Sequence, residues 1–168
     1  MDIAMSITPV FIRITTPDNP PTGYPDIVRL YDSNYKMIYD CYCSTNPNGF
    51  RPSDKRTWSD VYAQICLGKY FYDVINHDRF GKCLMINDGE DVPTINFNVN
   101  QNGNYATEIF LHSGGIKSSD PKWRGSRGCL TIHPGEFAAY MEHFDDMESG
   151  QIILTDDIGF ELTKENLF

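Results

Sequence analysis

The sequence predicts a mostly β single domain with a minor helical part, on three observations. Tyr, Phe, Val and Ile are abundant in a composition that is 40% hydrophobic, 13% aromatic and only 22% charged, the balance of a folded domain rich in strand formers. Several short stretches alternate apolar and polar residues at period two, whereas helical periodicity is confined to one segment. At 168 residues the chain is long enough to bury a core without disulfides or metal. Residues 1–168 therefore read as one domain.

Val10, Ile12 and Ile14 oppose Phe11, Arg13 and Thr15, and Tyr35, Met37, Tyr39 and Cys41 oppose Lys36, Ile38 and Asp40. Both patterns are those of half-buried strands. The stretch Pro17 to Pro25 between them and Asn46-Pro47-Asn48-Gly49 after them are turn-rich connections. Further strands are predicted over Lys69 to Val74, Lys82 to Ile86, Thr94 to Val99, Thr107 to His112, Cys129 to Ile132, Gln151 to Thr155 and Gly159 to Leu162. From Pro134 to about Met147, Phe137, Tyr140, Met141 and Phe144 recur at i, i+3, i+4 and i+7, with Pro134 suited to a first turn and Gly150 following the end. This is the one predicted helix, with an apolar face for the sheet and His133 as its N-cap.

The formal net charge of -9 and pI near 4.7 argue against nucleic acid or an anionic membrane surface as partner, since both select a cationic face. No apolar run is long enough to span a bilayer, and Met1-Asp2-Ile3-Ala4-Met5 lacks the basic and apolar regions of a signal peptide. The chain is expected to be made in the cytoplasm. The five cysteines, at 41, 43, 66, 83 and 129, include no CxxC pair, and their odd number leaves at least one thiol unpaired. Cys41 and Cys43 lie two apart on one strand face and read, like Cys66 and Cys83, as small core residues. His77 and His143 read as surface residues, and Asp88-Gly89-Glu90-Asp91 and Asp145-Asp146-Met147-Glu148 as solvated turns.

The chemistry concentrates in Ile109-Phe110-Leu111-His112-Ser113-Gly114-Gly115 and, after a loop, Gly125-Ser126-Arg127-Gly128-Cys129-Leu130-Thr131-Ile132-His133-Pro134. An apolar strand ending in His-Ser-Gly-Gly sets an imidazole at a sheet rim beside open backbone, and Ser-Arg-Gly-Cys sets a thiol at a turn before a second short strand. That is a base and a nucleophile within reach of each other. Lys117, Lys122, Arg124 and Arg127 face the single acid Asp120 over the intervening loop, an excess of cations expected to lower the Cys129 pKa and attract an anionic substrate. Amides around Arg127, Gly128 and Cys129 are natural oxyanion donors.

In kind and order, His112, Ser126, Gly128, Cys129 and Leu130 resemble the signature of the L,D-transpeptidase (YkuD-type) catalytic domain: a strand-end His, a loop, then Ser/Thr-x-Gly-Cys and an apolar residue. Cys66-Leu67-Gly68-Lys69-Tyr70-Phe71-Tyr72 is similar to that family's Gly-aromatic strand, so the motif-bearing part covers about 65–135. Arg127 stands where the family often has His, and Thr131 where it usually has Asn or Arg. The resemblance implies a mixed β-sandwich-like fold with its main helix after the nucleophile turn. It also implies Cys129 attack on the carbonyl between an L- and a D-centre of a peptidoglycan stem peptide, with His112 as base, the Ser113 carbonyl orienting the imidazole and the Gly128 amide in the oxyanion hole. Arg127, Ser126, Trp123, Arg124 and Gly114 are the candidate substrate-binding residues. The acyl-enzyme would pass to an amine or to water, that is, transpeptidase or carboxypeptidase activity, with no cofactor, in the periplasm or cell wall after delivery as a phage or secreted effector protein.

Two other classes compete. One is a noncatalytic module of the same fold that binds wall peptides or a partner protein, and the other is a cysteine hydrolase of a different substrate. Zinc held by His112, Cys129 and His133 lacks a fourth ligand and the CxxC spacing of a metal site, so no metal is assigned.

Overall fold

The computed structural model describes residues 6–14, 24–46, 64–98, 101–115 and 129–168. Its described part is mostly β. The strands are β1 (Thr8–Ile12), β2 (Asp26–Tyr31), β3 (Met37–Ser44), β4 (Gly68–His77), β5 (Gly81–Ile86), β6 (Val92–Asn98), β7 (Gly103–Ala106), β8 (Phe110–Ser113), β9 (Leu130–Ile132) and β10 (Ser149–Thr155), with one α-helix, α1 (Phe137–Met141), between the last two. Eight strands close a barrel in the order β1-β10-β4-β5-β8-β9-β3-β2, and β6 and β7 form a separate two-stranded sheet. Closure leaves no open edge. Two junctions are parallel, β1 with β10 and β8 with β9, and the others are antiparallel.

Alternate residues fill the barrel. Phe11, Val28, Leu84, Leu111, Ile132 and Ile152 belong to one buried cluster, which Tyr140, Met141 and Phe144 join from the helical segment. The predicted apolar face of that segment therefore packs as expected. The helix is shorter than predicted: only Phe137–Met141 is α-helical, and the flanking residues 134–136 and 142–147 are turns and bends. Met147 at φ 64 has left the helical region, and the His133 ring takes the Gly135 N–H at 3.1 Å rather than capping α1, whose N-cap is Glu136.

Strand β1 is buried along its whole length, where the alternation predicts a half-buried strand. Phe11 points into the barrel, while Val10 and Ile12 form a second cluster outside it with Tyr31, Ile153 and Leu162, packed by Phe160 and Leu167. The segment Gly159 to Leu162 is the reason. It is not the predicted strand but an extended cover laid over the outer face of β1 and β10. Strands β2 and β7 lie outside every predicted strand.

One buried polar network ties β1, β2 and β3 together. Arg13 donates through Nε to Thr45 Oγ1 at 2.9 Å and through Nη2 to the carbonyls of Thr45 and Ile65 at 3.1 and 2.8 Å. Asp26 accepts from the Ile14 N–H at 2.9 Å and from the Thr45 N–H and hydroxyl, each at 2.8 Å. Burial pushes the Asp26 pKa up against these hydrogen bonds and the Arg13 charge, and pushes that of Arg13 down. Glu148 is a correction to the solvated-turn reading. It is 8% exposed, its Oε2 lies 3.2 Å from Tyr72 Oη, and burial pushes its pKa up to about 7; its neighbours Asp145, Asp146 and Met147 are exposed as expected. No helix among the described residues is long and apolar enough to cross a membrane.

Two stability measurements follow. Asp26→Ala leaves the Arg13 guanidinium and three donors without their carboxylate and lowers unfolding free energy by about 3 kcal/mol in urea titration. Glu148 has a folded pKa above its unfolded value, so its protonated form is the favoured one in the fold: the wild type loses stability as pH rises from about 4.5 to about 7. Glu148→Gln, which mimics that neutral form, should remove this slope and be the more stable protein at pH 8 by about 1 kcal/mol, with no advantage at pH 4.

Candidate active site

The strand pair β8–β9 sets the geometry of the predicted site. Its parallel register pairs Leu111 with Leu130, His112 with Thr131 and Ser113 with Ile132. Leu111, Leu130 and Ile132 face the barrel interior, so alternation turns Phe110, His112 and Thr131 to the other face. Continued back by one residue, the register sets Cys129 beside Phe110, and the Phe110 N–H points to Cys129 Sγ at 3.4 Å. Thiol and imidazole thus belong to the same sheet face, two positions apart.

The imidazole is held from several sides. His112 is 2% exposed, and its Nδ1 lies 2.8 Å from the Ser113 carbonyl. A carbonyl only accepts, so Nδ1 carries the proton and Nε2 is left as the basic nitrogen. Phe80 stacks on the ring with centroids 4.0 Å apart and planes 2° from parallel. Burial pushes the His112 pKa down, opposed by the Ser113 hydrogen bond and aided by the charges of Arg79 and His77. The resting base is neutral imidazole.

Cys129 is half-buried. Burial pushes its thiol up to about 11, against the Phe110 N–H and the positive charge of Arg79, both of which favour the thiolate. This corrects the expected lowering of the Cys129 pKa: desolvation outweighs the nearby donor and cation. The two groups rest as thiol and neutral imidazole, not as an ion pair. No disulfide joins any of the five cysteines, and Cys43 and Cys83 are buried and Cys41 and Cys66 half-buried.

Several neighbours are not visible as site residues in the sequence. The β4–β5 hairpin brings His77, Arg79, Phe80 and Cys83 to the same face. His77 Nδ1 accepts the N–H groups of Arg79 and Phe80 at 3.0 and 3.3 Å and so shapes the turn; its ring lies 4.6 Å from Phe80 and 4.9 Å from Phe110. His77 and His143 are half-exposed; His77 also belongs to an aromatic cluster beside His112, and His143 packs on Tyr39 at 4.8 Å. Gly81 closes the hairpin at φ 69, a conformation that favours glycine. Cys83 lies next to Leu84, the partner of Leu111, and its thiol is pushed up to about 11 by burial first and by the proximity of Cys129 second. The only sequence signal was an aromatic and a cation in a tight turn, and nothing local says that this turn abuts His112.

The remaining predicted residues divide. Ser113 supplies the carbonyl on His112, and its hydroxyl donates to the Gly114 carbonyl at 3.1 Å. Gly114 accommodates Tyr24: a Cβ there would lie 1.9 Å from the phenol oxygen, which donates to the Gly115 carbonyl at 2.5 Å. Thr131 is fully buried beside His112, and its hydroxyl has no hydrogen-bond partner among the described residues. Ser126, Arg127, Gly128, Trp123 and Arg124, with Lys117, Asp120 and Lys122, lie outside the described residues. Among the described residues no group of three or more His, Cys, Asp or Glu side chains is arranged to hold a metal ion. The arrangement sets a basic nitrogen of fixed tautomer and a thiol on one sheet face. Comparison of the chain with protein-family models, with curated proteins and with solved structures gave no match.

Proposed function

We propose that the protein is a cysteine-dependent acyl-transfer enzyme of L,D-transpeptidase type that acts on peptidoglycan stem peptides, and that its barrel is a variant of that family's mixed β-sandwich-like domain. One observation carries the reading: Cys129 and His112 share a sheet face across the parallel β8–β9 pair, with the imidazole proton committed to the Ser113 carbonyl. The resemblance of His112 and of Ser126-Arg127-Gly128-Cys129-Leu130 to the family signature supplies the substrate class. Delivery to the wall as a phage or secreted effector protein belongs to the same proposal.

In this mechanism His112 Nε2 takes the thiol proton as Cys129 Sγ bonds to the carbonyl carbon between the L- and D-centres. The C–N bond then breaks, the departing amine takes the proton from His112, and a thioester remains. An acceptor amine or water attacks the thioester after giving a proton to Nε2, and sulfur leaves as the thiol on regaining it. Because the thiol is pushed up to about 11, the proton moves during attack, not before it. Backbone amides near Gly128 are the proposed oxyanion donors.

Two measurements test the proposal. Labelling with iodoacetamide at pH 7.5, read cysteine by cysteine by peptide mass, should slow about tenfold or more at Cys129 in His112→Ala while Cys66 is unaffected. A Cys129 rate indifferent to His112 would favour a noncatalytic binding module, a reading that the high thiol pKa favours. Incubated with tetrapeptide muropeptides, the wild type should yield shortened or cross-linked products, Cys129→Ala none, and His112→Ala about 10²–10⁴-fold less. Tetrapeptides returned unchanged by an enzyme whose Cys129 labels in a His112-dependent way would leave cysteine hydrolysis of another substrate.

A further inference from the structure

Arg79 stands at the tip of the β4–β5 hairpin, exposed, with its guanidinium carbon 5.5 Å from the centroid of Phe80. Phe80 in turn stacks on His112 at 4.0 Å. The cation is thus two short steps from the imidazole, and its charge acts on both His112 and Cys129. Asp78 precedes it in the chain, yet the one ion pair among the described residues joins Lys82 and Asp146. In a chain of net charge -9, this guanidinium has no carboxylate within ion-pair distance among the described residues.

We propose that Arg79 is a further substrate-binding residue of this site, taking a carboxylate carried by the peptide that Cys129 attacks. The inference rests on the reading of Cys129 as nucleophile and narrows its substrate to anionic peptides. Three features support it. The planar guanidinium presents paired N–H donors that match a carboxylate. A cation–π contact with Phe80, 5.5 Å from guanidinium carbon to ring centroid, leaves those donors free. A peptide cut beside its carboxyl-terminal D-residue also carries that residue's carboxylate only a few bonds from the scissile carbonyl, so a cation bordering the dyad meets it without a long groove.

The test uses two thiol reagents of similar size and different charge. Iodoacetate and iodoacetamide are reacted separately with the full chain, and the rate at Cys129 is read by peptide mass as the ratio of anionic to neutral reagent. Arg79→Gln should lower this ratio about fivefold, Arg79→Lys, which keeps the charge but not the paired donors, should recover only part of it, and 0.5 M salt should bring the wild type toward Arg79→Gln. Loss of Arg79 also raises the thiol pKa, but that slows both reagents alike and leaves the ratio to report recognition of the anion. A ratio unchanged in Arg79→Gln, with Cys129 still labelled in a His112-dependent way, overturns the role of Arg79 alone. Cys129 unreactive to both reagents, or indifferent to His112, overturns the nucleophile reading and this inference with it.

Discussion

The parallel pairing of β8 with β9 is the constraint on which the site depends. In a strand the side-chain period is two, so a slip of one residue between these strands would carry Cys129 to the face opposite His112. The register is fixed from the interior. Leu111, Leu130 and Ile132 are each at most 2% exposed within the barrel cluster, and moving them outward would exchange about 2 kcal/mol of burial per side chain for exposure. Packing on one side of the sheet thereby determines which groups meet on the other.

Around that pairing, electrostatics and desolvation pull in opposite directions, and desolvation prevails at both groups. Cys129 has an amide donor and a cation to favour its thiolate, yet burial keeps it protonated; His112 has a carbonyl acceptor to favour its charged form, yet burial keeps it neutral. A neutral imidazole can accept a proton, so the burial that depresses resting thiolate also leaves His112 able to take the role proposed for it. Phe80 serves both sides of the arrangement, excluding water from one ring face of His112 and seating Arg79.

Much of this was legible locally. Strands β4, β5 and β10 follow from alternation and turn residues, and the apolar face of the helical segment from its spacing. What was not legible is non-local. Asp26 opens β2 with a carboxylate that is fully buried because the Ile14 and Thr45 donors, from just beyond β1 and β3, satisfy it, so the strand looks like a turn flank in isolation. Gly159 to Leu162 has strand-like residues but finds no ladder partner and serves as a cover. Arg79 and Phe80 join the site through the pairing of β5 with β8, and Glu148 is buried against Tyr72 of a distant strand.

Barrel closure has a consequence for the order of assembly. Val10, Phe11 and Ile12 pair with Ile153, Leu154 and Thr155, and the outer apolar residues of β1 are then sealed by Leu162, Phe160 and Leu167. During synthesis β1 therefore waits, with one flank and one greasy face unsatisfied, until residues 149–167 have emerged. Maturation of such a topology is a late, long-range event, and in that interval the newborn chain is most exposed to self-association and most dependent on chaperones.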